Sequence, residues 1–251
     1  MTALLVLTGL TRSFGSTTAV DALDLEIAAG SRHAVIGPNG AGKTTLLDLI
    51  AGELAPTAGR QEFDGHDITH VSRSKRSRLG IARTFQQPAV CDSLTALDNV
   101  AMAAWRLSGV RMKWRRPSYS RLTGECLPHL EAVGLRSLAL REAGTLAHGE
   151  RRMLDIAMAL AARPKLLLLD EPAAGLTEDG ITHLIAAIEA LPGEVTVVVV
   201  EHDFAFVSAV ADTVTVLHDG RELATGTPAE IAADAAVHAA YLGSATETGA
   251  V

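Results

Sequence analysis

The sequence predicts an α/β fold: a mostly parallel core sheet with flanking helices, into which a helical subdomain is inserted. Three observations predict it. Residues 166–169 (LLLL) and 195–200 (VTVVVV) are continuous apolar runs, the pattern of strands buried on both faces of a parallel sheet. Residues 37–45, GPNGAGKTT, form a glycine-rich turn between a strand-like SRHAVIG and a helix-like KTTLLDLIAG. Residues 93 to about 142 read as mainly helical. One domain over 1–251 is therefore expected, with its core in 1–90 and 145–251 and the insert over about 91–144.

Taken in order, LLVLTGL and ALDLEI are strand-like and separated by a polar turn. SRHAVIG then leads into the glycine turn and its helix. GRQEFDGHDI reads as a strand and turn, and LGIARTFQQP as a strand ended by Pro88. The helical insert contains a basic loop, GVRMKWRRPSYSR. After it come the helix GERRMLDIAMALAAR, the strand KLLLLD and a helix from about Glu178 to Leu191. The strand VTVVVV, a helix from Phe204 and the strand DTVTVLHDG follow. There are no internal repeats, and the small-residue tail GSATETGAV is expected to fray.

Composition narrows the function classes. The 251 residues are 48% hydrophobic but only 4% aromatic, so the core is aliphatic. A net charge of -7 argues against nucleic-acid affinity. Between Asp98 and Glu125 there is no carboxylate, whereas Arg106, Arg111, Lys113, Arg115, Arg116 and Arg121 are cationic. With Trp105, Trp114 and Tyr119 interspersed, this segment reads either as a solvated loop over packed indoles or as a face for anionic headgroups or a permease loop. Cys91 and Cys126 form no CxxC pair and read as plain thiols of a reducing compartment. The start, MTALLVLTGLTRSFG, lacks the basic residues of a signal peptide, and no run reaches the ~18 apolar residues of a membrane helix. A soluble, cytoplasmic protein is expected.

The chemistry starts at GPNGAGKTT, which fits the G-x-x-x-x-G-K-[ST] phosphate loop. Gly37, Pro38, Asn39, Gly40, Ala41 and Gly42 supply a tight loop whose amides point inward, and the next helix adds its positive end. Lys43 supplies a mobile charge for β- and γ-phosphates and Thr44, the last residue of the motif, a hydroxyl for Mg²⁺; Thr45 follows as a further residue of the nucleotide-binding stretch. In KLLLLDEP, Asp170 ends a buried strand, where it can hold Mg²⁺ through water, and Glu171 follows, where a carboxylate can polarise an attacking water. Alone, DEP also reads as a helix-capping turn. In VVVVEHD, His202 leaves its strand at the same mouth, in reach of a γ-phosphate. In RTFQQP, the amide of Gln86 is placed to sense Mg²⁺ and water and to relay their presence to the insert.

Phosphate loop, glutamine, helical insert, LAHGE, Asp-Glu pair and histidine occur in that order, and the chain thereby resembles the ATP-binding-cassette (ABC) ATPases over nearly its whole length. The resemblance implies a P-loop NTPase fold with an N-terminal antiparallel β subdomain, ATP and Mg²⁺ as ligands, and ATP hydrolysis coupled to transport. It makes Phe14 the aromatic that stacks on adenine, with Ala19 nearby; unaided, Phe14 reads as a core residue. Lys43, Thr44, Gln86, Asp170, Glu171 and His202 take the roles argued above. LAHGE, at 146–150, falls where the family writes LSGGQ, a signature that closes over the ATP of a facing subunit.

Ala147 cannot make the hydrogen bond of the usual serine, a loss on the order of 1.5–3 kcal/mol. The amides at Gly149 and Glu150 and the helix dipole remain. Either the backbone suffices, or a different partner subunit completes a better site. Within the family, GIARTFQ, LAHGERRMLDIA, DEPAAGLT, VEHD and DGRELATGTPAEIAADAAVHAAYLG look like the ATPase subunits of branched-chain amino acid importers. Some of these also carry Ala at the signature's second position, and they vary at the position of His148. Thr177 replaces the usual aspartate of the loop after the Asp-Glu pair.

The implied partners are transmembrane permease subunits, a second ABC ATPase subunit and, indirectly, an extracytoplasmic solute-binding protein. The chain would then lie peripherally on the inner face of the cell membrane. A urea or short-amide importer and a non-transport ATPase for iron–sulfur assembly are the other readings.

Overall fold

The computed structural model describes residues 2–84, 88–107 and 119–240, without the side chains of 105–107 and 119–123. The chain begins with a long antiparallel ribbon, β1 (Ala3–Phe14) and β2 (Thr17–Ala28). Strand β3 (Arg32–Ile36) leads through the glycine turn into α1 (Lys43–Ala51). Next come β4 (Ala58–Phe63), β5 (His66–Asp67), α2 (Arg73–Leu79) and β6 (Ile81–Arg83). Helices α3 (Ala96–Leu107), α4 (Tyr119–Ala132) and α5 (His148–Ala161) precede β7 (Leu166–Asp170). The chain continues with α6 (Glu178–Glu189), β8 (Thr196–Val200), α7 (Phe204–Val210), β9 (Thr213–His218), β10 (Arg221–Gly226) and α8 (Pro228–Ala233).

Two sheets result. One is antiparallel, in the order β2-β1-β4-β5. The other runs β10-β9-β3-β8-β7-β6, parallel except where β10 folds back on β9. The α/β reading with an antiparallel N-terminal β portion is thus what the chain forms. The two apolar runs are buried on both sides, as their lack of alternation predicts. Leu166, Leu168, Val198 and Val200 pack with α1 and the antiparallel sheet. Leu167, Leu169, Val197 and Val199 face the opposite layer, with residues of α3, α5 and α6.

Strands β4 and β5 turn at Asp64-Gly65, and β9 and β10 at Asp219-Gly220, with positive φ at all four residues. That is the conformation a tight two-residue hairpin demands and Asp-Gly supplies. Helix α2 carries no apolar face. Its anchor is Arg76, 1% exposed, whose guanidinium donates to carbonyls of Leu49 and Ile50 at the end of α1, of Ile68 and Val71, and to Gln61 Oε1. One arginine thereby meets two of the carbonyls at the end of the helix that follows the glycine turn.

Candidate functional site

Strand register sets the geometry of the site. Val200 lies opposite Val35 on one side and Asp170 on the other, so β3, β8 and β7 end at one level. The segments that follow them share one sheet edge: the glycine turn, Glu201-His202 and Asp170-Glu171. This is the carboxyl edge of a parallel sheet, where such folds place ligands.

The glycine turn is pressed between two strands. A Cβ on Gly37 would lie 2.2 Å from the Leu217 carbonyl oxygen, and one on Gly42, at φ +99°, would lie 2.1 Å from that of Ala19. Only glycine fits either position. Asn39 and Gly40 are exposed at the tip, and Ala41 is buried beneath it. Lys43 is 8% exposed and its Nζ donates to the carbonyls of Gly37 (2.7 Å) and Pro38 (2.9 Å). Burial lowers its pKa, while Glu171 and Asp170 pull it back up, so the loop's one cation senses both carboxylates. Thr44 is exposed and Thr45 half-buried at the start of α1.

Asp170 is 1% exposed. Its Oδ2 accepts from Arg83 Nη2 at 2.9 Å, and Arg83 Nη1 reaches Asp48 of α1 at 2.5 Å. Burial disfavours the Arg83 charge, but the hydrogen bonds to Asp48 and Asp170 outweigh it and raise its pKa. Asp170 Oδ1 is buried with no hydrogen-bond partner among the described residues. An orphaned carboxylate oxygen fits a hard cation. Among the described residues no group of three or more His, Cys, Asp or Glu side chains is arranged to hold a metal ion by itself. Asp170 Oδ1 and the exposed Thr44 hydroxyl are the oxygen donors at this edge that could hold a hard divalent cation.

Glu171 is half-buried at φ +44°, a left-handed conformation costing a non-glycine residue roughly 1–2 kcal/mol. Its N–H donates to the Val200 carbonyl at 2.9 Å. His202 is 64% exposed at its side chain, with Nδ1 3.6 Å from Glu201 Oε2. Glu201 is fully buried; its Oε1 accepts from Ala173 N at 2.8 Å and its Oε2 from His202 N at 3.1 Å. Burial raises the Glu201 pKa, and the hydrogen bonds from the Ala173 and His202 amides only partly counter it. A cavity of about 270 Å³ opens beside His202, lined by Ile36, Phe204, Ile231, Val237 and His238; it is apolar and unsuited to phosphate.

Phe14 is not a core residue. It is 47% exposed, and the Arg12 guanidinium lies 4.5 Å over its ring. Ala19, half-buried on the paired strand, touches the glycine turn through its carbonyl. LAHGE sits at the start of α5, with Ala147 and His148 exposed and Gly149 and Glu150 half-buried. Glu150 Oε2 accepts from Ala147 N at 2.8 Å, one half of a capping box whose other half alanine cannot make. His148 packs beside Gly175, and Gly149 beside Leu176. Thr177 caps α6, its Oγ1 accepting from Gly180 N at 3.2 Å. Gln86 lies outside the described residues, as do the side chains of the basic segment from Arg106 to Arg121.

Sequence reasoning gave no role to Arg83, Arg152 or Glu201. Arg152, 2% exposed, donates from α5 to the carbonyls of Asp170 and Glu171. Its one sequence signal is position: it shares a helical stripe with Ile156 and Leu160, both buried.

The chain matches the family described as ABC transporter over residues 20–174, and the one described as branched-chain amino acid ATP-binding cassette transporter over 221–247. It is 38% identical to the high-affinity branched-chain amino acid transport ATP-binding protein BraF of Pseudomonas aeruginosa, over 96% of this chain and 98% of that one. The corresponding LivG protein of Escherichia coli is 34% identical, again over 96% and 98%. Among solved structures, the ADP conformation of MJ1267, an ATP-binding cassette of an ABC transporter, superposes with a TM-score of 0.85 at 27% identity, covering 97% of this chain and all of that one.

Proposed function

The chain belongs to the ABC transporter ATP-binding family, and from that premise we propose that it hydrolyses ATP to energise a branched-chain amino acid importer. The observation that carries the ATPase reading is the shared sheet edge, which gathers Lys43, Asp170, Glu171 and His202 from distant parts of the chain. The cargo class is supported by likeness to the branched-chain amino acid proteins along the whole chain and at its C-terminal segment.

In this reading the amides of residues 37–45 cradle the phosphates, Lys43 pairs with the β- and γ-phosphates, and Phe14 stacks on the adenine beside Ala19. Asp170 and Thr44, with Gln86 as the further ligand expected from the sequence, would hold Mg²⁺, which would offset phosphate charge. Glu171 orients a water and takes its proton as the water oxygen bonds to the γ-phosphorus and the bond to the ADP oxygen breaks. His202 donates a hydrogen bond to the γ-phosphate.

Two ATPase subunits, alike or different, face head to tail, and the amides of Gly149 and Glu150 close LAHGE over the partner's nucleotide. Ala147 brings no donor side chain to that edge. Among the described residues no helix is long and apolar enough to cross a membrane. The chain works from the cytoplasmic face, its helical portion over about 91–144 meeting the permease subunits, which receive cargo from a solute-binding protein outside.

The test is uptake in a strain lacking this chain. The wild-type protein restores uptake of labelled leucine, isoleucine and valine, and Glu171→Gln does not. Purified Glu171→Gln binds ATP and loses about 10²–10⁴-fold in turnover. Restored urea uptake with unchanged leucine uptake overturns the cargo assignment, and wild-type turnover in Glu171→Gln removes that residue from the reaction.

A further inference from the structure

The segment from Asp170 to Ala173 is held by more than its own turn. Arg152 Nη2 donates to the Asp170 carbonyl at 2.5 Å and to the Glu171 carbonyl at 2.9 Å, and Nε lies 3.4 Å from that of Pro172. From the opposite side Glu201 Oε1 accepts from Ala173 N, and the Val200 carbonyl accepts from Glu171 N. Three carbonyls facing one guanidinium make a site that only an arginine's fork satisfies at once. Between these anchors lies the one residue of the turn in the left-handed region, Glu171.

The guanidinium is itself buried, which costs free energy unless its surroundings answer the charge. They do. Burial lowers the Arg152 pKa, and the carboxylates of Asp155, Asp170, Glu201 and Glu171 offset part of that effect. Arg152 is also four residues into α5, the helix that opens with LAHGE, so the signature helix and the Asp-Glu turn of one chain are directly bonded.

We propose that Arg152 is a positioning residue for hydrolysis: its bonds to the carbonyls of Asp170 and Glu171 hold Glu171 in the left-handed geometry that aims its carboxylate at the attacking water. This rests on the reading of Glu171 given above. Arg152 touches no substrate and acts on Glu171 through the backbone of the turn.

The prediction is non-additivity. Turnover and ATP binding are measured for the wild type, Arg152→Met, Glu171→Gln and the double variant, with the folded fraction checked by thermal unfolding. Arg152→Met keeps ATP affinity within about threefold and loses about 10²-fold in kcat, the scale of a misplaced reacting group. Arg152→Lys, which retains charge and one donor direction, recovers part of that loss. In the Glu171→Gln background Arg152→Met costs little more, because the group it positions is already gone.

Should Arg152→Met fail to fold, the same cycle is run with Arg152→Lys. Losses that multiply across the cycle, or wild-type kcat in a folded Arg152 variant, overturn the proposal while leaving Glu171 in place. Full turnover in Glu171→Gln alone overturns the underlying reading instead.

Discussion

His33 shows how a single buried side chain sets a pH response far from any chemistry. It is 3% exposed on β3, and its Nε2 lies 2.9 Å from Thr215 Oγ1, which in turn is 2.7 Å from Thr225 Oγ1. Burial lowers its pKa from 6.5 to about 4. The folded state therefore refuses a proton that the unfolded chain accepts, so stability is complete above 6.5 and falls as pH drops towards 4. Across that window the loss approaches about 3 kcal/mol. Denaturant titrations from pH 7 to 4 should show this slope in the wild type and a flatter one in His33→Gln, which keeps a hydrogen-bonding group but does not titrate. Equal slopes would place the pH dependence elsewhere. The sequence displayed this histidine in SRHAVIG but not its hydroxyl partner Thr215, which lies 182 residues away.

At the scale of the element, α5 is the informative case. Its apolar spacing made the helix legible, and the substitution of Ala147 for a hydroxyl residue was visible at once. The structure adds that Glu150 already reaches back to Ala147 N, so a serine would complete a capping box. Ala147→Ser should stabilise the chain by ~1 kcal/mol in chemical denaturation and raise ATPase activity by restoring a donor to the signature. No gain in either measurement would mean that the backbone alone meets the demand. The two Asp-Gly hairpins show the same legibility, since the turn chemistry is local. Helix α2 shows its limit. RSKRSRL has no apolar periodicity, and the helix is held by Arg76 reaching carbonyls contributed by α1 and the segment before α2.

For the whole molecule, the expected consequence is linkage between nucleotide and stability. ATP with Mg²⁺ at one hundred times its Kd should stabilise the folded chain by about 2.7 kcal/mol, seen as a rise in Tm. Lys43→Ala should abolish that rise while leaving the Tm without nucleotide close to wild type; a rise that survives in Lys43→Ala would move the binding site away from residues 37–45.

The sequence alone determined the parts: the phosphate loop, the buried strands and the acidic and imidazole groups at their ends. Each depends on neighbours within a few residues, where periodicity and turn chemistry operate. Tertiary structure alone decided how those parts are held. Arg83 joins Asp48 to Asp170, Arg152 grips the carbonyls behind Glu171, and Glu201 ties Ala173 to His202. A local pattern reports that a charged side chain is buried or on a stripe. Which carbonyl or carboxylate meets it depends on strand order and register, which pairs residues far apart in the chain.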